Sequence, residues 1–276
     1  MSPDIVCGTS IGSVVGAAYA DDKLDRLETW VRSLTWQTVV GLLDFTLDGG
    51  LVKGSRLFTF FRSHFEDKDI TQLRKAYGAV ATELLTGREV WLREGSMIDA
   101  VRASMALPGL FTPAQLEGRL LVDGALVNPV PVSLCRAMGA DIVIAVDLNW
   151  DLMGRSLHQP AEVKAPPPES APGALAGFLG KLPFSLGRLK SGPAASTDMP
   201  SILDVLSISL NIMQVRITRS RLAGEPADVM IRPRLSDFAL MDYHRAAPAI
   251  AEGQRAAEQA VPELMELLGT RLPLPP

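Results

Sequence analysis

The sequence predicts an α/β fold, because short apolar runs typical of strands alternate with segments of helical periodicity along most of its length. The first apolar run, at residues 4–7, is followed by small and apolar residues that favour a helix at 13–20. A second run, at 142–146, is rich in β-branched residues without polar alternation. That composition predicts a buried strand.

Length and composition restrict the class of protein. A chain of 276 residues with 47% apolar and 21% charged residues can bury a sizeable core, and we expect one domain over residues 1–276. The net charge of −4 gives no reason to expect a nucleic-acid partner. Cys7 and Cys135 lie in apolar surroundings and lack metal-ligand and redox spacing, so we expect buried free thiols in a reducing compartment.

The same sequence predicts a cytoplasmic location, with peripheral contact to membrane surfaces left open. No uninterrupted apolar run reaches the ~18 residues that a membrane span needs. The amino terminus also lacks the basic and then apolar pattern of a signal peptide.

In the first half of the chain, three segments with helical periodicity each follow a polar residue that can cap a helix. These segments begin after Asp21 and Asp22, after Thr35 and after Ser96. We expect the last of these helices to end at Leu107, because the proline that follows disfavours helical geometry in the residue before it.

A hairpin and an aromatic stripe complete the first half. Strand-like runs at residues 77–82 and 89–93 flank a turn and predict a hairpin. The stripe of Phe58, Phe61 and Phe65 at helical spacing is more typical of core or pocket lining than of a cofactor site.

The second half also alternates predicted strands with predicted helices, and one long segment between them lacks both patterns. The predicted elements of this half are a strand at 120–122, a helix that ends at Gly139, a helix at 202–222, a strand at 229–231 and a helix at 243–268. Residues 151–200 are rich in Pro, Ala, Gly and Ser and predict a flexible insertion. Within it, residues 178–190 mix apolar and basic residues, which suggests a membrane-surface or lid segment, with a plain linker as the alternative.

The most informative stretch for function is the pentapeptide GTSIG at residues 8–12. Between a predicted strand and a predicted helix, this GxSxG pattern is typical of a nucleophile elbow that exposes Ser10. We expect side chains at Gly8 and Gly12 to collide with neighbouring backbone, which would explain both glycines. At the start of the helix, the N–H of Ile11 is the candidate oxyanion donor. The alternative is that Ser10 only caps the helix.

A carboxylate is the best candidate partner for Ser10. Asp123 ends a predicted strand beside Gly124, a glycine that would give a ligand close access to the backbone, with Ala125 next in the motif. Taken alone, such an Asp is more typical of a turn than of catalysis. Asp147, at the end of a later strand, is a second candidate.

Histidine is the usual proton acceptor for a serine nucleophile, and the chain has three. His64, His158 and His244 all lie outside glycine-rich or strand-end contexts, so the sequence favours solvated or core roles for them. A Ser/Asp/His triad that uses His244 stays open as an alternative.

Three separated blocks resemble the patatin-like phospholipases, in particular the bacterial branch similar to the neuropathy target esterase domain. The blocks are the GTSIG elbow, residues 102–113, and residues 123–132. This resemblance implies a three-layer α/β/α fold with a mainly parallel central sheet. It further implies that Ser10 is the nucleophile of a dyad with Asp123, without histidine, metal or cofactor. The implied reaction is hydrolysis of phospholipid or lysophospholipid acyl esters through an acyl-enzyme.

The chain also departs from that family pattern. Family members carry a glycine-rich loop that supplies oxyanion donors ahead of the elbow, whereas this chain starts at the elbow strand. We therefore expect an N-terminally truncated fold with an exposed apolar edge beside residues 4–7. A catalytically impaired lipid- or partner-binding remnant is the corresponding functional alternative.

Overall fold

The computed structural model describes residues 2–42, 55–151, 202–238 and 242–271. The strands are β1 (Ile5–Thr9), β2 (Ala76–Glu83), β3 (Glu89–Leu92), β4 (Ala114–Leu116), β5 (Arg119–Asp123), β6 (Ile144–Val146) and β7 (Val229–Ile231). The α-helices are α1 (Ile11–Ala20), α2 (Leu24–Ser33), α3 (Trp36–Leu42), α4 (Ser55–His64), α5 (Met97–Ser104), α6 (Val132–Ala137), α7 (Ile202–Gly224) and α8 (Ala246–Arg271). The predicted α/β class is confirmed.

The chain divides into two compact units. The first comprises residues 1–155 and 206–276 and contains all of these elements except the first turn of α7. The second, residues 156–205, lies almost entirely outside the described residues, as do the predicted insertion and its basic apolar segment at 178–190.

The main sheet is mixed, although a mainly parallel sheet was expected. It contains β1 to β5: β1 and β2 pair in parallel, whereas the pairs β2–β3, β2–β5 and β4–β5 are antiparallel. β6 and β7 form a separate parallel pair. Among the described strands, β1 pairs only with β2, so it lies at an edge of the sheet, where its first three residues are half-buried.

Helices cover both faces of β2, because successive side chains of a strand point to opposite sides. Tyr77 faces α1, where its hydroxyl donates to the carbonyl of Ser13 at 2.9 Å. A Cβ added at the next residue, Gly78, would lie 3.1 Å from Cδ2 of Leu134 in α6. The domain is therefore a three-layer α/β/α structure.

Two strands share one edge of β2 and meet there end to end. On that edge, β1 pairs in parallel up to Thr9, which lies opposite Val80. β5 pairs antiparallel up to its last residue, Asp123, which lies opposite Ala81, the next residue of β2. β3 pairs with residues 79–82, so it overlaps both strands and must occupy the other edge. The carboxyl ends of β1 and β5 therefore face each other, which brings the residue after Thr9 next to Asp123.

The largest apolar cluster lies under α1, α2, α4 and α5. Phe58, Phe61 and Phe65 are buried in it, as the aromatic stripe predicted. Trp30 of α2 stacks on Phe60 with ring centroids 4.8 Å apart, which joins α2 to α4. This packing supports α1, the helix that begins beside the elbow.

Several local predictions are wrong for identifiable reasons. No side chain caps α2; Asp21 instead follows the end of α1, where it accepts from Lys68 Nζ at 2.7 Å. The helix α5 ends at Ser104 rather than at Leu107. The run at 142–146 forms only the short β6, whose end residues are exposed because β6 has β7 as its sole partner among the described strands. Cys7 and Cys135 are free, but only half-buried.

Candidate active site

The GTSIG segment forms a sharp turn between β1 and α1. Ser10 occupies φ 54° and ψ −125°, a backbone conformation that residues with a side chain rarely adopt. A Cβ at Gly8 would lie 2.2 Å from the carbonyl oxygen of Gly12, so only glycine fits at position 8. The corresponding expectation for Gly12 is wrong, because a Cβ at that position would have nothing within 4 Å. Local strain thus concentrates at the residue that exposes the hydroxyl.

Two buried serines hold the backbone of Ser10 in this conformation. The N–H of Ser10 donates to Oγ of Ser104 at 2.9 Å. The carbonyl of Ser10 accepts from Ser13, from the N–H at 2.9 Å and from Oγ at 2.6 Å. Both partners have no exposed surface, so water does not compete for these bonds. Our sequence reasoning missed Ser104 as an elbow contact, although it lies in the block at residues 102–113.

The structure brings Ser10 and Asp123 into direct contact. Oγ of Ser10 donates to Oδ2 of Asp123 at 2.6 Å, and Oδ1 accepts from the N–H of Ala125 at 2.8 Å. The backbone of Asp123 is also held, by the carbonyl of Ala106 at 3.0 Å and by Oγ1 of Thr82 at 2.9 Å. Each oxygen of the carboxylate therefore accepts one hydrogen bond from a defined donor.

Burial changes the chemistry of this carboxylate. Asp123 has no exposed surface, and the loss of solvation raises its pKa to about 6, although the hydrogen bonds from Ser10 and Ala125 lower it. A carboxyl with a pKa near 6 is a much better proton acceptor at neutral pH than an ordinary Asp, whose pKa is ~3.9.

Close packing requires a glycine at position 124. A Cβ at this position would lie 2.2 Å from the carbonyl oxygen of Val80 in β2. The absence of a side chain therefore lets the turn after β5 pass against β2. Ala125 is buried beside it, and its N–H is the donor to Asp123 described above.

The amino terminus of α1 lies at the same place. Ile11 is the first residue of α1, so its N–H has no acceptor within its own helix. The helix dipole adds partial positive charge there, which favours an anion beside Ser10.

Histidine does not contact Ser10 in the part of the chain that the structure describes. His244 is exposed, and its ring lies 5.6 Å from that of Trp36. His158 and the side chain of His64 lie outside the described residues. Asp147, the second candidate carboxylate, accepts from the N–H of Asn149 at 3.0 Å and lines a separate cleft of about 400 Å³.

The site has a further neighbour that our sequence reasoning missed. Burial and the negative charge of Asp123 raise the pKa of Tyr243 to about 12, so this phenol stays protonated within electrostatic reach of the carboxylate. Tyr243 belongs to a short 3₁₀ turn before α8, more than a hundred residues from Asp123, and no motif marks it.

Neither a metal cluster nor a membrane span occurs in the described ranges. No group of three or more His, Cys, Asp and Glu side chains within them could hold a metal ion. Over the same residues, no helix combines the length and the apolar character needed to cross a membrane.

Comparison with known proteins identifies relatives of this chain. The family model described as "Patatin-like phospholipase" matches residues 1–136. An uncharacterized NTE family protein of Mycobacterium tuberculosis is 29% identical over 307 aligned residues, which cover 93% of this chain and 82% of the relative. Human patatin-like phospholipase domain-containing protein 6 is 35% identical over 154 residues, and the corresponding protein 7 of Rattus norvegicus is 32% identical over the same length. These alignments cover 53% of this chain and 11% of each mammalian protein.

Proposed function

Because this chain belongs to the patatin-like phospholipase family, we propose that it hydrolyses acyl esters of phospholipids or lysophospholipids, with Ser10 as nucleophile and Asp123 as its proton acceptor. Family membership supports lipid hydrolase activity in general. The observation that supports the specific residues is the 2.6 Å hydrogen bond from Oγ of Ser10 to Oδ2 of Asp123 at a strained elbow.

In the proposed first step, Oγ of Ser10 attacks the ester carbonyl carbon as its proton passes to Oδ2 of Asp123. The carbonyl oxygen becomes an oxyanion, which the N–H of Ile11 and the dipole of α1 stabilise. When the C–O bond to the leaving alcohol breaks, Asp123 returns the proton to that alcohol oxygen. An acyl ester on Ser10 remains.

Water completes the cycle by the same steps in reverse. Asp123 accepts a proton from the attacking water, and the hydroxide forms a bond to the acyl carbon. The bond to Oγ then breaks, the fatty acid leaves, and Ser10 regains its proton from Asp123. With a pKa of about 6, the Asp123 carboxylate is mostly ionised at pH 7 and is ready for this role.

The direct test compares three variants on a short p-nitrophenyl ester. Ser10→Ala and Asp123→Asn should each abolish hydrolysis, and Ser10→Ala should also abolish labelling by a fluorophosphonate. His244→Ala should retain activity. Loss of activity in His244→Ala would instead support a Ser/Asp/His triad. Lipid binding by a wild-type protein that the fluorophosphonate does not label would support the inactive, lipid-binding alternative.

A further inference from the structure

A network of buried and partly buried polar groups holds the turn that follows Asp123. Asn128, at the end of this turn, is only 1% exposed. Its N–H donates to the carbonyl of Gly124 at 2.9 Å, which closes the turn on itself. Its carbonyl accepts from Oγ1 of Thr9 at 2.8 Å, and Thr9 is the residue directly before Ser10. Asn128 therefore joins the two chain segments that carry the two reacting side chains.

Glu89, the first residue of β3, holds the side chain of Asn128. Oε1 of Glu89 accepts from Nδ2 of Asn128 at 2.7 Å and from Nε1 of Trp91 at 2.7 Å. The second oxygen, Oε2, accepts from Nη2 of Arg221 at 2.5 Å. Both carboxylate oxygens are thus occupied by donors from three different segments.

Arg221 of α7 holds the same turn from the other side. Besides the contact to Glu89, its Nε donates to the carbonyl of Val127 at 2.7 Å. One guanidinium therefore binds a carboxylate and a main-chain carbonyl at once, an arrangement that its planar fork allows and a lysine ammonium does not reproduce. The side chains of Arg221 and Glu89 are 35% and 16% exposed.

Stability alone does not account for this arrangement. When an ion pair is partly buried, the free energy lost by removing both charges from water is about as large as the free energy gained from their attraction. Proteins in which apolar residues replace such a pair are often just as stable. What such a pair can supply is a defined geometry at the groups it binds. Here those groups are Val127 and Asn128, four and five residues after Asp123.

We propose that Glu89 and Arg221 are positioning residues, which hold the turn of residues 124–128 so that Asp123 stays within hydrogen-bond distance of Ser10. This inference rests on the proposed function of Ser10 and Asp123. Displacement of a reacting group by about 1 Å can reduce turnover by about 10²-fold, so a loosened turn should lower kcat much more than it changes KM.

The chain offers a matched control for Arg221. Arg136 of α6 is 36% exposed, pairs with Asp228 at 2.5 Å and donates to the carbonyls of Ala140 and Asp141 at 3.1 and 2.7 Å. It has the same kinds of partner and nearly the same exposure as Arg221, but it binds a different loop. Arg136→Lys therefore reproduces the general cost of replacing such an arginine.

The experiment measures hydrolysis of a short p-nitrophenyl ester per fluorophosphonate-labelled serine, which removes the effect of any unfolded fraction. Arg221→Lys and Glu89→Gln should lower kcat by about 10- to 100-fold with little change in KM. Arg136→Lys should keep wild-type kcat, and thermal unfolding should show similar losses of stability in the two lysine variants. Equal kcat per labelled serine in Arg221→Lys and Arg136→Lys would overturn the proposal.

A second measurement does not depend on catalysis. Crystal structures of the two lysine variants should show a distance from Oγ of Ser10 to Oδ2 of Asp123 that is longer in Arg221→Lys and unchanged in Arg136→Lys. An unchanged distance in both would overturn the positioning role even if the wild-type protein proves inactive. Failure of the proposed function would be seen separately, as a wild-type protein that neither hydrolyses the ester nor is labelled at Ser10.

Discussion

The burial of Asp123 should cost the protein stability at neutral pH, and Asp123→Asn should recover it. The carboxyl has no exposed surface, and its pKa rises from 3.8 to about 6, mainly because ionisation in the folded state occurs without solvent. A group with a higher pKa in the folded state binds its proton more tightly there than in the unfolded chain. Its contribution therefore favours folding at low pH and opposes folding once both states are ionised.

The size of this effect follows from the shift. A difference of about two pKa units at about 1.4 kcal/mol each gives a destabilisation of about 3 kcal/mol above pH 7. The penalty decreases as the pH falls through about 6 and drops below about 1 kcal/mol near pH 4, where the folded state is protonated. In Asp123→Asn the amide cannot ionise, while its oxygen can still accept from the N–H of Ala125. The variant should therefore be inactive but more stable than the wild type at pH 8.

The assay is urea unfolding of the wild type and Asp123→Asn at pH 8 and at pH 4, with the exposed Asp4→Asn as the matched control. The free energy of unfolding of Asp123→Asn should exceed the wild-type value by about 2–3 kcal/mol at pH 8 and by less than about 1 kcal/mol at pH 4. Asp4→Asn replaces an exposed side chain and should change the free energy of unfolding by less than about 0.5 kcal/mol. A variant that is less stable than the wild type at pH 8, or a difference that is the same at both pH values, would refute the reasoning from burial.

Two further predictions concern the same site. First, kcat/KM on a soluble ester should decrease at low pH with an apparent pKa of about 6, and below that pH it should fall about tenfold per pH unit, because protonated Asp123 cannot accept the proton of Ser10. A decrease with an apparent pKa near 4 would contradict the assignment of Asp123 as proton acceptor. Second, Gly8→Ala should strongly destabilise the protein, since its Cβ would lie 2.2 Å from a carbonyl oxygen, whereas Gly12→Ala should fold and keep the hydroxyl reactive to a fluorophosphonate. Thermal unfolding and labelling of the two alanine variants measure this difference, and equal behaviour of the pair would count against the elbow geometry.

Helix starts were predictable where the capping side chain and the N–H group that it binds lie close together in the sequence. Ser96 caps α5, where its Oγ accepts from the N–H of Asp99 at 3.0 Å. Thr35 in the same way accepts from the N–H of Thr38 at 3.2 Å. Asp21 gave the same kind of signal, but its carboxylate binds Lys68, 47 residues away, and the sequence pattern contains no trace of that contact. Capping motifs therefore predict helix starts only where no distant charge competes for the same side chain.

The arrangement of the strands around the elbow was harder to predict from the sequence, because local periodicity does not determine which strands pair. The run at 142–146 has the composition of a central strand, yet Ile144 and Val146 are 41% and 49% exposed and β6 lies outside the main sheet. Conversely, β5 is a short strand of only five residues, predicted at 120–122 without any sign of its pairing, and it occupies the position that matters for the site. Its importance comes from register, since Asp123 pairs with Ala81 directly beyond the end of β1.

The motifs pointed to Ser10 and Asp123, but they do not by themselves determine the distance between these two side chains. That distance depends on β2, where Val80 and Ala81 set the ends of the two strands opposite each other. It also depends on contacts made by Glu89 and by Arg221, and Arg221 lies beyond residues 1–136, the part that the family model matches. A sequence with both motifs but without such contacts would keep the hydroxyl and the carboxylate and lose their alignment. The alignment of Ser10 with Asp123 is therefore a property of contacts between distant segments of the chain rather than of either motif alone.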